Sequence, residues 1–230
     1  MAIDITRRAS LIGAGRLLTL AAMGITLPRH AIARDQLPMT PPMDLGPFYP
    51  MQRPLDDDAD LTRLKGHKAR AKGEVIEVSG GVLTADGTAQ PGAVLEVWQA
   101  NALGRYAHPS DTSDAPLDPD FQGYARIVAD AQGVFRFLTI KPSFYTAGNL
   151  GFKRAAHIHL DVQSKRQRLV TQLYFPAELD LLRQDKVLMH DMGMSATDTF
   201  PRHIFAQAVP AGSQIEPGAA HWRFDVVLLG

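Results

Sequence analysis

The sequence predicts an all-β fold: a β-sandwich of mainly antiparallel strands with long active-site loops and little helix. Short runs of β-branched and aromatic residues recur along the chain, separated by clusters of Gly, Pro, Asn and Asp. The stretch Ala177 to Met192, with Leu179, Leu182, Asp185 and Leu188, allows one short helix, although its helical periodicity is weak. Several strand candidates are apolar on alternate residues or on both faces, as strands inside two packed sheets are.

Residues 1–33 read as an export leader. Arg7-Arg8 precede the apolar run Leu11 to Leu27, and Ala31-Ile32-Ala33 supplies a small-residue cleavage pattern. The arginine pair resembles a twin-arginine signal, which implies a periplasmic or extracellular protein starting near Arg34. An uncleaved anchor is the rival reading, but Arg16 and three glycines interrupt a run already short for a span, so no stable membrane anchor is expected. Residues 34–65 form an extended arm, because Pro41, Pro42, Pro47, Pro50 and Pro54 keep the chain out of helix and out of any central strand. Gly46-Pro47-Phe48-Tyr49-Pro50 reads as a turn packing two aromatics on the domain, and Asp56 to Asp60 as a solvated acidic loop.

The sandwich domain occupies 66–230. Gly73–Val78 is a strand and Ala85–Gly92 a turn region. In Ala93–Trp98 the residues Val94, Glu96 and Trp98 share one face and Leu95 and Val97 the other, so both faces are at least partly covered. Gln99 to Pro119 is a long loop of the kind that carries function, and it holds Tyr106. Gly123–Val128 and Val134–Thr139, separated by Asp130 to Gly133, read as a hairpin. Lys141-Pro142-Ser143 then stops the strand and leaves Tyr145 in irregular chain. Ala156–Val162 returns through Ser164–Gln167 into Leu169–Phe175, and His221–Leu229 closes the fold.

The 230 residues, 45% hydrophobic and 21% charged, suit one globular domain. With 24 basic and 24 acidic residues there is no charge asymmetry to attract nucleic acid or an anionic membrane. The absence of cysteine removes disulfides, iron-sulfur clusters and thiolate zinc sites, leaving nitrogen and oxygen as metal donors.

One strand stands out. His157 and His159 are two residues apart and share a face, while Ile158, Leu160 and Val162 fill the other. Two convergent imidazoles are half of a metal site; the competing readings are a histidine pair on a solvated sheet face, or a zinc hydrolase, for which no third His or carboxylate stands at matching spacing. Tyr124 and Tyr174, inside strands, read as packing residues. His67, His108, His190, His203 and His221 read as surface or capping histidines.

Trp98 to Tyr106, Phe135 to Tyr145, Arg154-Ala155-Ala156-His157-Ile158-His159 and Gly46 to Pro50 resemble, in order and spacing, the motifs of the intradiol ring-cleavage dioxygenases, with the compact layout of the protocatechuate type. The likeness runs from about Gly46 to the C-terminus. It implies a non-haem Fe(III) held by Tyr106, Tyr145, His157 and His159, with Tyr145 the ligand that leaves when a catechol chelates the metal. Phenolate is a hard, electron-donating ligand that suits ferric iron. Arg154 matches the family's pocket arginine and Gln172 a glutamine near the iron, while Gly46, Pro47 and Tyr49 fall at the rim of the substrate pocket. The implied reaction inserts O2 between the two hydroxyl-bearing carbons of a catechol-type aromatic to give a cis,cis-muconate-type diacid. The implied partners are that substrate, O2, and a second copy of the chain or a related subunit. Two departures occur: Ser143 stands where the family pattern has Gly, and Ala155 where it has Pro. Neither removes a ligand. The contrary reading is a non-catalytic subunit that uses the sandwich for binding or assembly, against which all four ligand positions are retained.

The leader generates its own test. N-terminal sequencing of exported material is expected to begin near Arg34, and Arg7→Lys with Arg8→Lys to abolish export; exported protein that retains Met1, or export indifferent to the pair, contradicts it.

Overall fold

A computed structural model describes residues 36–54, 56–147, 151–176 and 179–230; the leader and its cleavage point lie outside the described residues. Among the described residues eleven strands and two short α-helices follow in chain order, with one 3-10 turn at Arg202–Ile204: β1 Val75–Thr84, β2 Val94–Trp98, β3 Tyr124–Val128, β4 Val134–Ile140, β5 Tyr145–Thr146, β6 Lys153–Arg154, β7 His157–Gln163, β8 Arg168–Tyr174, α1 Leu179–Gln184, α2 Lys186–Asp191, β9 Gln207–Val209, β10 Ala220–Arg223 and β11 Val226–Leu228. They build the predicted sandwich. One sheet centres on β1, flanked by antiparallel β4 on one side and by β10 and β11 on the other, with β9 beyond β10. The second sheet runs β3-β2-β7-β8, every pair antiparallel.

The period-2 alternation decides which side chains meet. Leu95, Val97, Ala125, Ile127, Ile158, Leu160, Val162 and Leu173 of the second sheet pack in one cluster with Ile76, Val78, Val82, Phe135 and Phe137 of the first. The opposite face of the second sheet carries Trp98, His157, His159, Gln172 and Tyr174, all buried as well. Strands β2 and β7 are therefore covered on both sides, by aliphatic core on one and by arm, loops and helices on the other.

The arm is docked through its backbone. Leu37 donates to the carbonyl of Ala85, Thr40 to Val227 and Met43 to Val170, so it passes from the first sheet to the edge of the second and then over the latter's outer face. The acidic stretch has no buried residue, as expected of a solvated loop, yet its backbone is tied down: Arg126 N–H donates to the Asp57 carbonyl and Leu138 N–H to that of Ala59, so the segment runs along the seam between β3 and β4.

That seam explains one correction. Strands β3 and β4 do not form a hairpin; β3 pairs with β2 and β4 with β1, so the Asp130–Gly133 turn carries the chain between sheets. Local turn chemistry is the same in both cases, and only the pairing partners differ. The closing strand is likewise two pieces, β10 and β11, both parallel to β1, which makes the first sheet mixed. Tyr145 is not in irregular chain but in register with Arg154 in the β5–β6 ribbon. The single helix expected in Ala177 to Met192 is a pair, with Asp185 between, and both helices pack on β6.

Leu160 is fully buried in the centre of this core. Leu160→Ala is expected to lower stability by about 2–5 kcal/mol, read from the urea midpoint; a change under about 1 kcal/mol would mean that the inner face is not packed as described.

Candidate metal centre

Neighbouring strands place the outer-face side chains in register. Trp98 stands opposite His159 across β2 and β7 and stacks on it, ring centroids 4.7 Å apart and planes within 10°. On the other side, Tyr174 pairs with His157 and Gln172 with His159. The two imidazoles converge, Nε2 to Nε2 at 3.2 Å. Tyr145 enters from β5 with its ring 5.8 Å from His157, and Tyr106 from the Gln99–Pro119 loop at 5.4 Å from Tyr145 and 6.3 Å from His159.

Local chemistry holds the tyrosine loop in shape. Asn101 Oδ1 accepts from the N–H groups of Leu103 and Arg105, and the Asp111 carboxylate accepts the Tyr106 N–H at 2.7 Å. Gly104 has φ +78°, and a Cβ there would lie 2.4 Å from the carbonyl oxygen of Phe144, so only glycine lets the loop reach the Tyr145 segment. Gly46, at φ +73°, does the same for the arm: a Cβ would sit 3.2 Å from Cε1 and 3.7 Å from Nε2 of His159. Phe48 stacks on Tyr106 at 4.5 Å and meets Tyr145 edge-on at 5.9 Å, closing the group from the arm side.

Burial sets the protonation states. Burial, Arg154 and the neighbouring imidazole hold His157 well below the usual histidine range, and burial and Arg154 do the same to His159; both are neutral, the form that binds a metal. Ala155 C=O lies 2.6 Å from His157 Nδ1 and accepts its N–H, which puts the ring's lone pair on Nε2. Burial pushes Tyr145 up to about 12 although Arg154 pulls it down, and burial, with Tyr145 beside it, holds Tyr106 well above the usual tyrosine range. The Tyr106 hydroxyl is buried without a hydrogen-bond partner.

Arg154 is the buried cation behind this group. Its Nε contacts both oxygens of Asp185 at 2.9 and 3.0 Å, and its Nη2 donates to Gln172 Oε1 at 2.8 Å and the Tyr174 hydroxyl at 3.3 Å. Nη1 is left facing the Tyr145 hydroxyl at 3.5 Å. Burial would lower the arginine, but Tyr174, Tyr145 and Asp185 hold it charged. Asp185 is fully buried, takes the Ala155 N–H and caps α2 through the N–H groups of Val187 and Leu188.

The structure thus brings Tyr106, Tyr145, His157, His159, Arg154 and Gln172 together, with Gly46 against His159. Pro47 is exposed, and Tyr49 turns aside to hydrogen-bond the Glu96 carboxylate with its ring edge-on to Trp98. Its neighbour Phe48 touches the tyrosines instead. Phe48 fulfils the expectation that the Gly46–Pro50 turn packs an aromatic on the domain, whereas Asp185, an acid between short helices, carries no local signal of its role. Tyr174 is a packing residue, and it also hydrogen-bonds Gln172 Oε1 at 2.6 Å. His221 is a correction, being neither surface nor cap: it is buried, its Nε2 2.7 Å from Ser79 Oγ.

Among the described residues no three His, Cys, Asp or Glu side chains gather as a metal would require, so a metal at the imidazole pair must complete its shell from oxygen donors of another type. Two phenols, those of Tyr106 and Tyr145, stand beside the pair and are oxygen groups of that type. Two neutral imidazoles that face each other through Nε2, an unpaired buried hydroxyl and a second hydroxyl beside a fixed cation fit a hard, oxidised ion.

A family model described as "Dioxygenase" matches residues 45–230. The chain is 38% identical over 208 residues to the protocatechuate 3,4-dioxygenase beta chain of Burkholderia cepacia, covering 89% of this chain and 82% of that one. It is 28% identical to the hydroxyquinol 1,2-dioxygenase of Nocardioides simplex, over 80% of this chain and 62% of the relative. Among solved structures, the dioxygenase domain of a dioxygenase carbohydrate-binding protein fusion from Streptomyces sp. SirexAA-E superposes with a TM-score of 0.59 at 24% identity, covering 84% of this chain and 99% of that one. The intradiol ring-cleavage dioxygenase from Tetranychus urticae gives 0.59 at 14% identity, over 84% and 95%. These two likenesses are of fold alone.

Removing Asp185 tests the buried pair. Asp185→Ala leaves Arg154 uncompensated and uncaps α2, and is expected to cost about 3–5 kcal/mol; Asp185→Asn, which can still cap, is expected to lose less. A negligible loss from Asp185→Asn, read by urea unfolding, would show that the charge pair contributes little, and equal loss from both that the cap does.

Proposed function

Because the chain belongs to the intradiol ring-cleavage dioxygenases, we propose that it is a non-haem Fe(III) enzyme that opens a catechol-type ring between its two hydroxyl-bearing carbons, inserting both atoms of O2 to give a cis,cis-muconate-type diacid. The observation that carries this reading is the convergence of two neutral imidazoles and two phenols, one with an unpaired hydroxyl, beside a compensated arginine in a buried pocket. Tyr106, Tyr145, His157 and His159 would hold the iron. Ferric iron supplies the electron-withdrawing centre that makes a bound catechol dianion open to attack by O2.

The side chains divide the remaining tasks. Tyr106 is anchored through its backbone to Asp111 and walled by Phe48, which suits a donor that stays in place. Tyr145 sits on a two-residue ribbon, and a phenol whose proton is held up to about pH 12 becomes a strong base once deprotonated, so its Oη is the acceptor for a catechol hydroxyl proton. Arg154 presents Nη1 toward that oxygen and offers a fixed positive charge to an anionic ring. Gln172 spends Oε1 on Arg154 and Tyr174 and Nε2 on the Asp44 carbonyl, so it positions the arginine and ties the arm to the site. Trp98 and Phe48 exclude water from the four rings.

Turnover of iron-loaded protein with a panel of substituted catechols is the test, followed by O2 uptake and by the muconate absorbance. Tyr145→Phe is expected to keep iron and bind catechol but to slow turnover by about 100-fold or more, whereas Tyr106→Phe loses iron or its ferric state. Arg154→Ala keeps iron and loses most turnover. No O2 uptake with any catechol contradicts the reading and favours a non-catalytic binding or assembly subunit; indistinguishable behaviour of the two tyrosine variants contradicts their separate roles.

A further inference from the structure

The covers over the metal centre are not fastened equally. The Gln99–Pro119 loop is held from within by Asn101 and Asp111, and the β5–β6 ribbon by the buried Arg154–Asp185 pair. The strap Leu45–Pro54 crosses the same group of rings, with Gly46 against His159 and Phe48 on Tyr106 and Tyr145. It makes no ladder. Pro47, Pro50 and Pro54 have no N–H, and among the described residues no backbone–backbone hydrogen bond joins Leu45–Pro54 to the rest of the protein.

Its side-chain ties converge instead on one carboxylate. Glu96, buried on β2, accepts the Tyr49 hydroxyl on one oxygen and Arg53 Nη2 on the other at 2.9 Å. The Arg53 side chain is 55% exposed, and an ion pair with one partner in water holds weakly, so the Tyr49 bond is the stronger of the two. Burial and the Glu96 carboxylate push the Tyr49 phenol up, and its hydroxyl stays a donor. Burial works against the Glu96 charge, but the bonds from Tyr49 and Arg53 hold its carboxyl below the usual range. Asp161, opposite Glu96 on β7, is taken by Arg168 and does not compete for the strap.

Strand geometry gives this contact its leverage. Glu96 and Trp98 share one face of β2, and Tyr49 spans both, its hydroxyl on the first and its ring edge-on to the second at 5.0 Å. Trp98 in turn stacks on His159. Whatever holds Tyr49 down therefore also holds Phe48, its neighbour in the chain, on the two tyrosines. A cleft of about 310 Å3 has Phe48, Pro50 and Pro54 of the strap on one side and Trp98, Tyr106 and Tyr124 on the other, so the strap can lift without displacing the core.

We propose that Glu96 is a positioning residue: through Tyr49 its carboxylate latches the strap over the metal centre, and release of that latch lets a ring-sized ligand enter and leave. The latch stands on the hydrogen bonds alone, whereas the traffic it controls rests on the ring-cleavage reading.

Tyr49→Phe keeps the ring and removes only the hydroxyl, and Glu96→Gln keeps the shape and removes the charge; circular dichroism checks the folding of each. With Trp222→Phe in the full chain, Trp98 is the one tryptophan left. Acrylamide quenching of its fluorescence is expected to rise at least about threefold in each variant, from a shift of about tenfold in the ratio of open to latched strap. In the iron-loaded chain, stopped-flow absorption with an unreactive catechol analogue is expected to show association and dissociation both about tenfold faster, and the double variant no faster than the faster single one. A merely structural role would lower the urea midpoint and leave these rates alone. Quenching and rates that match the parent, a double variant whose effect is the product of the single ones, or quenching that rises while the rates stay put overturns the proposal. A parent that binds no catechol analogue overturns the ring-cleavage reading instead, and quenching alone then decides whether Glu96 latches the strap.

Discussion

The alternation along β7 is the constraint on which the rest of the molecule depends. Ile158, Leu160 and Val162 point into the aliphatic core, and His157 and His159, between and beside them, point the other way. A slip of one residue would bury the imidazoles among Leu95, Val97 and Leu173 and turn three aliphatic side chains onto the site. The fold and the centre are thus specified by the same seven residues. Covering the second face is the price of having a site there, and the arm, the Gln99–Pro119 loop and the β5–β6 ribbon with its two helices provide the cover.

Charge is arranged so that this cover does not destabilise the fold. The four ring side chains are neutral when protonated as burial dictates, and the one cation among them, Arg154, is matched by the fully buried Asp185. Asp185 also caps α2 and holds the Ala155 backbone two residues before His157, so the same carboxylate fixes the cation, the helix and the approach to the imidazole strand. A ferric ion binding with loss of two phenol protons and one bound hydroxide would keep the centre uncharged overall, which lowers the cost of enclosing it.

Much of this was legible in the sequence because it is local. The H-x-H alternation, the two-faced Ala93–Trp98 strand and the Ser164–Gln167 return are period-2 patterns and turn chemistry, and β2, β7 and β8 lie where those patterns put them. Tyr106 and Tyr145 were reached through the resemblance to the family; their places outside the strand patterns set them apart from Tyr124 and Tyr174 but carry no metal signal of their own. What could not be read is pairing at a distance. The Asp130–Gly133 turn has the chemistry of a hairpin yet joins two sheets, because β3 and β4 each find a better partner in β2 and β1. Asp185 is 31 positions from Arg154, and Phe48 is 58 before Tyr106, so their contacts exist only once the arm and the helices have folded over the sheet.

The claim at the centre of this account is that two phenols and two imidazoles form one ferric site. Titration of metal-free protein with ferric iron, followed by visible absorption and resonance Raman scattering, tests it most directly. A broad phenolate-to-iron charge-transfer band is expected that saturates at one equivalent, carries tyrosinate vibrations, and loses intensity in Tyr106→Phe and in Tyr145→Phe. A protein that stays colourless with iron bound, or whose band survives both substitutions, would contradict it.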